Sequence, residues 1–236
     1  MGLDIQKKVG GSTADVSATA VLLPQSEHLQ VHQRPSIGPW RSGQEHVDRK
    51  AVLSACGMYR YQLTRQVKSS GRMFGFVGVN PSTADASVED HTTRKWLGFV
   101  KRWGGKGYQT VNLFAFRATD VKELANVTDP VGVENDCYID ELIYTCDVLV
   151  PCWGSLVKLP AQHRRRAIDV LIKLQASGKP INHLGLTKDG QPKHPLLLPY
   201  DTKLRDFSTF GIYARAATAT HGQRRSHVCQ GLVLPS

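Results

Sequence analysis

The chain reads as an α/β protein, a three-layer α/β/α sandwich on a mostly parallel central sheet. Three observations predict it. Strand-sized apolar runs alternate with amphipathic helical stretches between residues 47 and 212. Polar motifs sit where the apolar runs end, and ligands gather at the carboxyl ends of strands in such sheets. The 236 residues, 41% hydrophobic and 21% charged, suit one domain that buries a sufficient core without staples.

The elements follow in order. Residues 1–46 are rich in Gly, Ser, Thr, Gln and Pro without a sustained period, and are expected to be a flexible leader in which 21–23 could add a short strand. MYRYQLTRQV (58–67) is a strand or short amphipathic element. MFGFVGV (73–79) is a buried aromatic strand that ends at Asn80-Pro81. A helix follows, with Thr92 as its cap, an apolar face from Trp96 to Trp103, and Gly104-Gly105 as its stop. YQTVNLFAF (108–116) is the next strand. A helix over about 133–145 leads to DVLVPCWG (147–154), a third strand. HRRRAIDVLIKLQASG (163–178) is amphipathic with Gly178 as its C-terminal signal, and INHLGLT (181–187) is a fourth strand. Residues 213–236 are expected to be a flexible tail.

Charge points to polyanions. Thirty Lys+Arg oppose 20 Asp+Glu, a net charge of +10. The basic residues are spread over KSSGR (68–72), KRWGGK (101–106), HRRR (163–166) and QRRSH (223–227). The five cysteines are odd in number and form no CxxC pair, so a disulfide framework is not expected and a reducing, cytoplasmic setting is. No run approaches the roughly 20 apolar residues of a membrane helix, and no secretory signal or myristoylation motif is read at the N-terminus.

Four loops are expected to converge on one sheet edge. In GVNPSTAD (78–85), Asn80 projects from a strand tip, Pro81 stiffens the turn, and Ser82 or Thr83 can cap and offer backbone N–H groups to an anion. The plainer reading is a tight turn with Asn80 bonding local backbone. In NLFAFRATD (112–120), Asn112 lies within an apolar strand, where a buried amide needs partners and can read a base edge. Arg117 could meet a phosphate or Asp120, while Phe114 and Phe116 suit the core. Trp153-Gly154 ends the third strand. His194, in DGQPKHPLLL (189–198), could donate to a developing anion. Asp85 or Asp90 could hold a water or a metal, and Asp90 could equally complement a helix dipole.

NPSTAD, the stretch ending in Thr93-Arg94, NLFAFRATD, the later WG and GLTKDGQPKHPL together resemble a family of small bacterial and phage proteins catalogued as a domain of unknown function. The likeness spans roughly residues 55–205, with His91 where that family usually has Pro. That family is in turn distantly similar to the uracil-DNA glycosylase superfamily. The resemblance implies a glycosylase-like fold, water positioning at Asn80, base recognition at Asn112 and stabilisation of the departing base by His194. From their places in these loops, Asp85 is expected with the catalytic residues, and Pro81, Ser82, Thr83, Arg117, Trp153 and Gly154 around the substrate. The His-Pro-Ser of the superfamily is His194-Pro195-Leu196 here. The resulting expectation is a nucleobase-directed hydrolase acting on an N-glycosidic bond in DNA or on a modified nucleotide, with DNA or a nucleotide as partner and without cofactor or metal. Two other classes stay open: a non-catalytic nucleic-acid-binding module, and a phage or mobile-element enzyme that modifies a base or nucleotide in the same pocket.

Overall fold

The structure, a computed structural model, describes residues 30–33, 47–82 and 90–207. In chain order these form β1 (Gln30–Gln33), β2 (Asp48–Leu53), β3 (Arg60–Gln66), β4 (Met73–Gly78), α1 (His91–Arg102), β5 (Gly107–Asn112), α2 (Asn135–Thr145), β6 (Val148–Pro151), α3 (Arg165–Ala176), β7 (Asn182–His183) and β8 (Arg205–Asp206). β1 falls inside the stretch read as a leader. The proposed strand at 21–23 and the tail from 213 onward lie outside the described residues.

The main sheet is mixed, in the order β1-β2-β3-β5-β4-β6. β4 pairs in parallel with β5 and with β6, whereas β1–β2, β2–β3 and β3–β5 are antiparallel. The parallel half is the part that the alternating pattern announced. The expected fourth parallel strand shrinks to one bridge, Ile181 to Leu149, because residues 182–183 pair with β8 instead. β2 was not anticipated, since DRKAVL has charge at one end, apolar residues at the other and no clean alternation.

The chain steps from β4 to β5 through α1, then back past β4 to β6 through α2. Right-handed crossovers in opposite directions put their helices on opposite faces. Trp96 and Val100 of α1 accordingly pack on Phe74, Phe76, Tyr108 and Val150, while Ile139 and Leu142 of α2 and Leu171 and Leu174 of α3 pack on Val77, Val111 and Leu149. The loop leaving β4 turns toward α1, and those leaving β5 and β6 turn the other way. The strand order thus reverses at β4, and the carboxyl end of such a switch strand is where these sheets hold ligands.

Two boundaries and one cysteine differ from expectation. The cap of α1 is Asp90, whose side chain accepts from the Thr93 N–H, so Thr92 lies within the first turn. β5 stops at Asn112, because the N–H groups of Leu113 and Phe114 bond the carbonyls of Gly78 and Val79, and that of Ala115 turns to Val131. Cys137 is disulfide-bonded, whereas free thiols were expected; Cys56, Cys146 and Cys152 are free. No helix among the described residues is long and apolar enough to cross a membrane.

Candidate functional site

Asn112, the last residue of β5, is paired in register with Gly78, the last residue of β4. Strand alternation puts its side chain on the α1 face with Tyr108 and Thr110. It is 2% exposed. A Cβ on Gly78 would stand 2.6 Å from the Asn112 Oδ1, so only glycine lets the amide lie against β4. Asn135 donates its side-chain N–H to the carbonyls of Asn112 and Leu113 and pins the strand end. The Asn112 Nδ2 has no hydrogen-bond partner among the described residues. A buried donor left unpaired costs roughly 1–3 kcal/mol, so an orphan at a strand end is a place for a ligand acceptor.

Asn80 lies two residues beyond Gly78. Its amide nitrogen donates to Ala118 O at 2.6 Å and to Pro81 O at 3.2 Å. These bonds tie the β4 loop to the β5 loop and settle which way the amide points, leaving Oδ1 as the atom that can meet water or ligand. Pro81 is buried, and its carbonyl also accepts from Ala118 N. Next to it, the Ser82 hydroxyl donates to the Asp90 carboxylate, which also accepts from Thr93 N at 2.7 Å. Burial pushes the Asp90 carboxyl up, but bonds from Ser82 and Thr93 and the Arg60 guanidinium outweigh it and hold the group below the ordinary carboxylate range. Arg60, on β3, is 2% exposed. Burial lowers its pKa to about 10 against the opposing pull of Asp90, which leaves it charged at neutral pH.

His194 arrives from the other side. Residues 185–193 fold back on themselves, with Lys193 N bonded to Gly185 O and Thr187 N to Gln191 O. Gly154 adopts φ 78°, and a Cβ there would lie 3.3 Å from the His194 Cβ, so glycine lets the β6 loop back the histidine. The His194 Nδ1 accepts from Leu196 N at 3.3 Å. A neutral ring with Nδ1 accepting carries its proton on Nε2, as a donor. Burial lowers the His194 pKa, and the Asp90 charge partly opposes that, so the ring is neutral at pH 7.

The structure thus gathers Asn80, Asn112, Pro81, Ser82, Gly154 and His194 at one sheet edge, with Asp90 between the β4 loop and His194. Three further residues make bonds of their own. Trp153 is in the core on the α3 side, and its indole N–H donates to Gln191 Oε1 at 2.9 Å, so it braces the loop. Arg117 donates to Gly57 O, 60 residues away, at 3.2 Å, and the carboxylate of Asp120 accepts from Lys122 N as a helix cap. Phe114 is in the core and Phe116 packs on it. Thr83 and Asp85 lie outside the described residues. Arg60 escaped sequence reading, since nothing local marks a strand arginine as buried. A cavity of about 540 Å³ lies elsewhere, past the C-terminal end of α1. Among the described residues no group of three or more His, Cys, Asp or Glu could hold a metal ion.

Chemically, the edge offers an amide donor from Asn112, a neutral imidazole donor from His194, an amide acceptor from Asn80 and one ionised carboxylate, Asp90. A family model described as "Protein of unknown function (DUF1643)" matches residues 60–196, more than half of the chain. No curated protein and no solved structure matches it.

Proposed function

The chain belongs to this family of unknown function, and from the chemistry at its strand ends we propose that it is a nucleobase-directed enzyme of uracil-DNA-glycosylase type, hydrolysing an N-glycosidic bond in DNA or acting on a modified nucleotide. The observation that carries this reading is the buried Asn112 amide at the carboxyl end of β5, whose Nδ2 lacks a partner among the described residues. A base carbonyl would supply the missing acceptor.

His194 fits the second need of such a reaction. When the bond between the sugar carbon and the base nitrogen breaks, its electron pair stays on the base. A neutral Nε2–H donor stabilises that charge as it develops. The Asn80 Oδ1 would accept from a water and aim its oxygen at the sugar carbon; the displaced proton passes to solvent. An amide is no base, so rate enhancement would rest on positioning and on stabilising the leaving base. Leu197, three residues past His194, is 92% exposed, and Leu196 is 40% exposed. Apolar side chains beside such a site suit a wedge that enters a base stack while the target base is drawn out.

The test is incubation with oligonucleotides that carry uracil and other modified bases, followed by mass spectrometry of the released bases. The expected result is release of one base type, lost in His194→Ala and Asn112→Leu. Tight binding with no release from any substrate would overturn hydrolysis and leave the non-catalytic nucleic-acid module.

A further inference from the structure

We propose that the exposed face of α1 is a track for a single-stranded nucleic acid, and that the pocket at the C-terminal end of the helix holds one base of that strand. The inference stands apart from the chemistry at the strand ends, because it rests on different residues.

α1 carries Arg94, Lys95, Lys101 and Arg102 and no acidic residue. Arg94, Lys101 and Arg102 are exposed. Cations in the last turn complement the helix dipole, but that gives no reason for Arg94 and Lys95 in the first half. The chain after His194 runs back along the same helix to Tyr200. A Cβ on Gly98 would lie 2.4 Å from the Tyr200 ring, so a mid-helix glycine, about 1 kcal/mol worse than alanine, is what lets this ring lie on α1. Lys95 Nζ and Arg102 Cζ lie 3.9 and 4.3 Å from the Tyr200 ring centre. Beyond them Arg102, Trp103, Tyr200, Lys203 and Leu204 line the cavity of about 540 Å³, with Asp201 the one carboxylate in its wall.

This combination selects the occupant. From Arg94 to Arg102 the helix face gives a row of positive charge about 12 Å long at 1.5 Å per residue, which matches a phosphate backbone. The pocket is concave, with an apolar aromatic wall, which matches the flat face of a base. In a duplex the bases are stacked and paired, so a single strand offers one to the pocket without the cost of unpairing.

Binding of a labelled oligothymidylate, read by fluorescence anisotropy over a salt series, tests both parts. Arg94→Glu, Lys101→Glu and Lys203→Glu together are exposed changes that leave the core intact. They should weaken binding about tenfold or more at low salt and flatten the log–log salt slope by about 0.7 for each phosphate contact removed. A strand of the same length with abasic sites throughout should bind the parent protein about fivefold to a hundredfold more weakly, the scale of losing a stacked base. Trp103→Leu should erase that preference; should it fail to fold, the abasic comparison on the parent decides alone. Tighter binding of duplex than of single strand, equal binding of the abasic strand, or an unchanged salt slope in the charge-reversed variant would each overturn the proposal.

Discussion

Between Trp153 and Gln191 the polar side chains bond one another. Asp189 accepts from Leu156 N, Ser155 Oγ and Thr187 Oγ1, and the Trp153 indole donates to Gln191. At the same sheet edge, on β5, the Asn112 amide nitrogen has no partner among the described residues. Both stretches carry the turn-rich, polar composition that suggests a binding loop. They differ in solvent. Asp189 is exposed and can exchange a protein partner for water at small cost, so its bonds fix the shape of the loop that delivers His194. Asn112 is buried and has no such exchange. Burial rather than residue type therefore separates the bracing loop from the amide left with an unpaired donor among the described residues.

The contrast can be broken at its strongest point first. Trp153→Ala should cost about 3–5 kcal/mol of stability, as for other large aromatic truncations in a core, read as a denaturant midpoint shift. A loss below about 1 kcal/mol would mean that the indole does not brace the loop. Asn112→Leu should do the reverse. It removes an unpaired donor and strands no partner, so stability should move by no more than about 1 kcal/mol, while turnover falls roughly a hundredfold, the scale of losing a positioned hydrogen-bond donor. If that variant unfolds as readily as Trp153→Ala, the amide is structural. Gly154→Ala sits between the two. Its left-handed backbone and the 3.3 Å approach to His194 predict about 1–2 kcal/mol of destabilisation together with reduced activity.

The smallest effect is electrostatic. Burial makes His194 a weaker base in the folded protein than in the unfolded chain. The folded state therefore binds this proton less readily, and its stability falls as pH drops below the unfolded value of about 6.5 toward the lowered folded value, and is regained above 6.5. Activity should persist through the pH at which an ordinary histidine protonates, then fall as Nδ1 gains a proton and can no longer accept from Leu196. Asp90→Asn removes the charge that opposes this shift, so the His194 titration followed by NMR should move to still lower pH. A titration that stays put in this variant would show that the carboxylate does not act on the ring.

Much of the site was legible because it is local in sequence. A strand ending in Asn-Pro, an amide within an apolar run, and a His-Pro after an Asp-Gly turn are short-range patterns, and an alternating α/β chain carries strand ends to one edge by its handedness. The parallel strands β4, β5 and β6 and the three helices were readable for the same reason, since each has its own apolar period. What the tertiary structure alone decided depends on partners distant in sequence. Trp153 looked like a ligand residue and is core, because its neighbours come from α3 and from Gln191. Asn80 bonds Ala118, 38 residues away. Arg60 and Asp90 influence each other across the α1 face although 30 positions separate them, and the antiparallel half of the sheet arises from pairings that β2 does not announce. Local propensity and periodicity are written in the order of residues, whereas the burial that turns an asparagine into an unpaired donor, or an arginine into a buried charge, is set by which segments the folded chain lays over it.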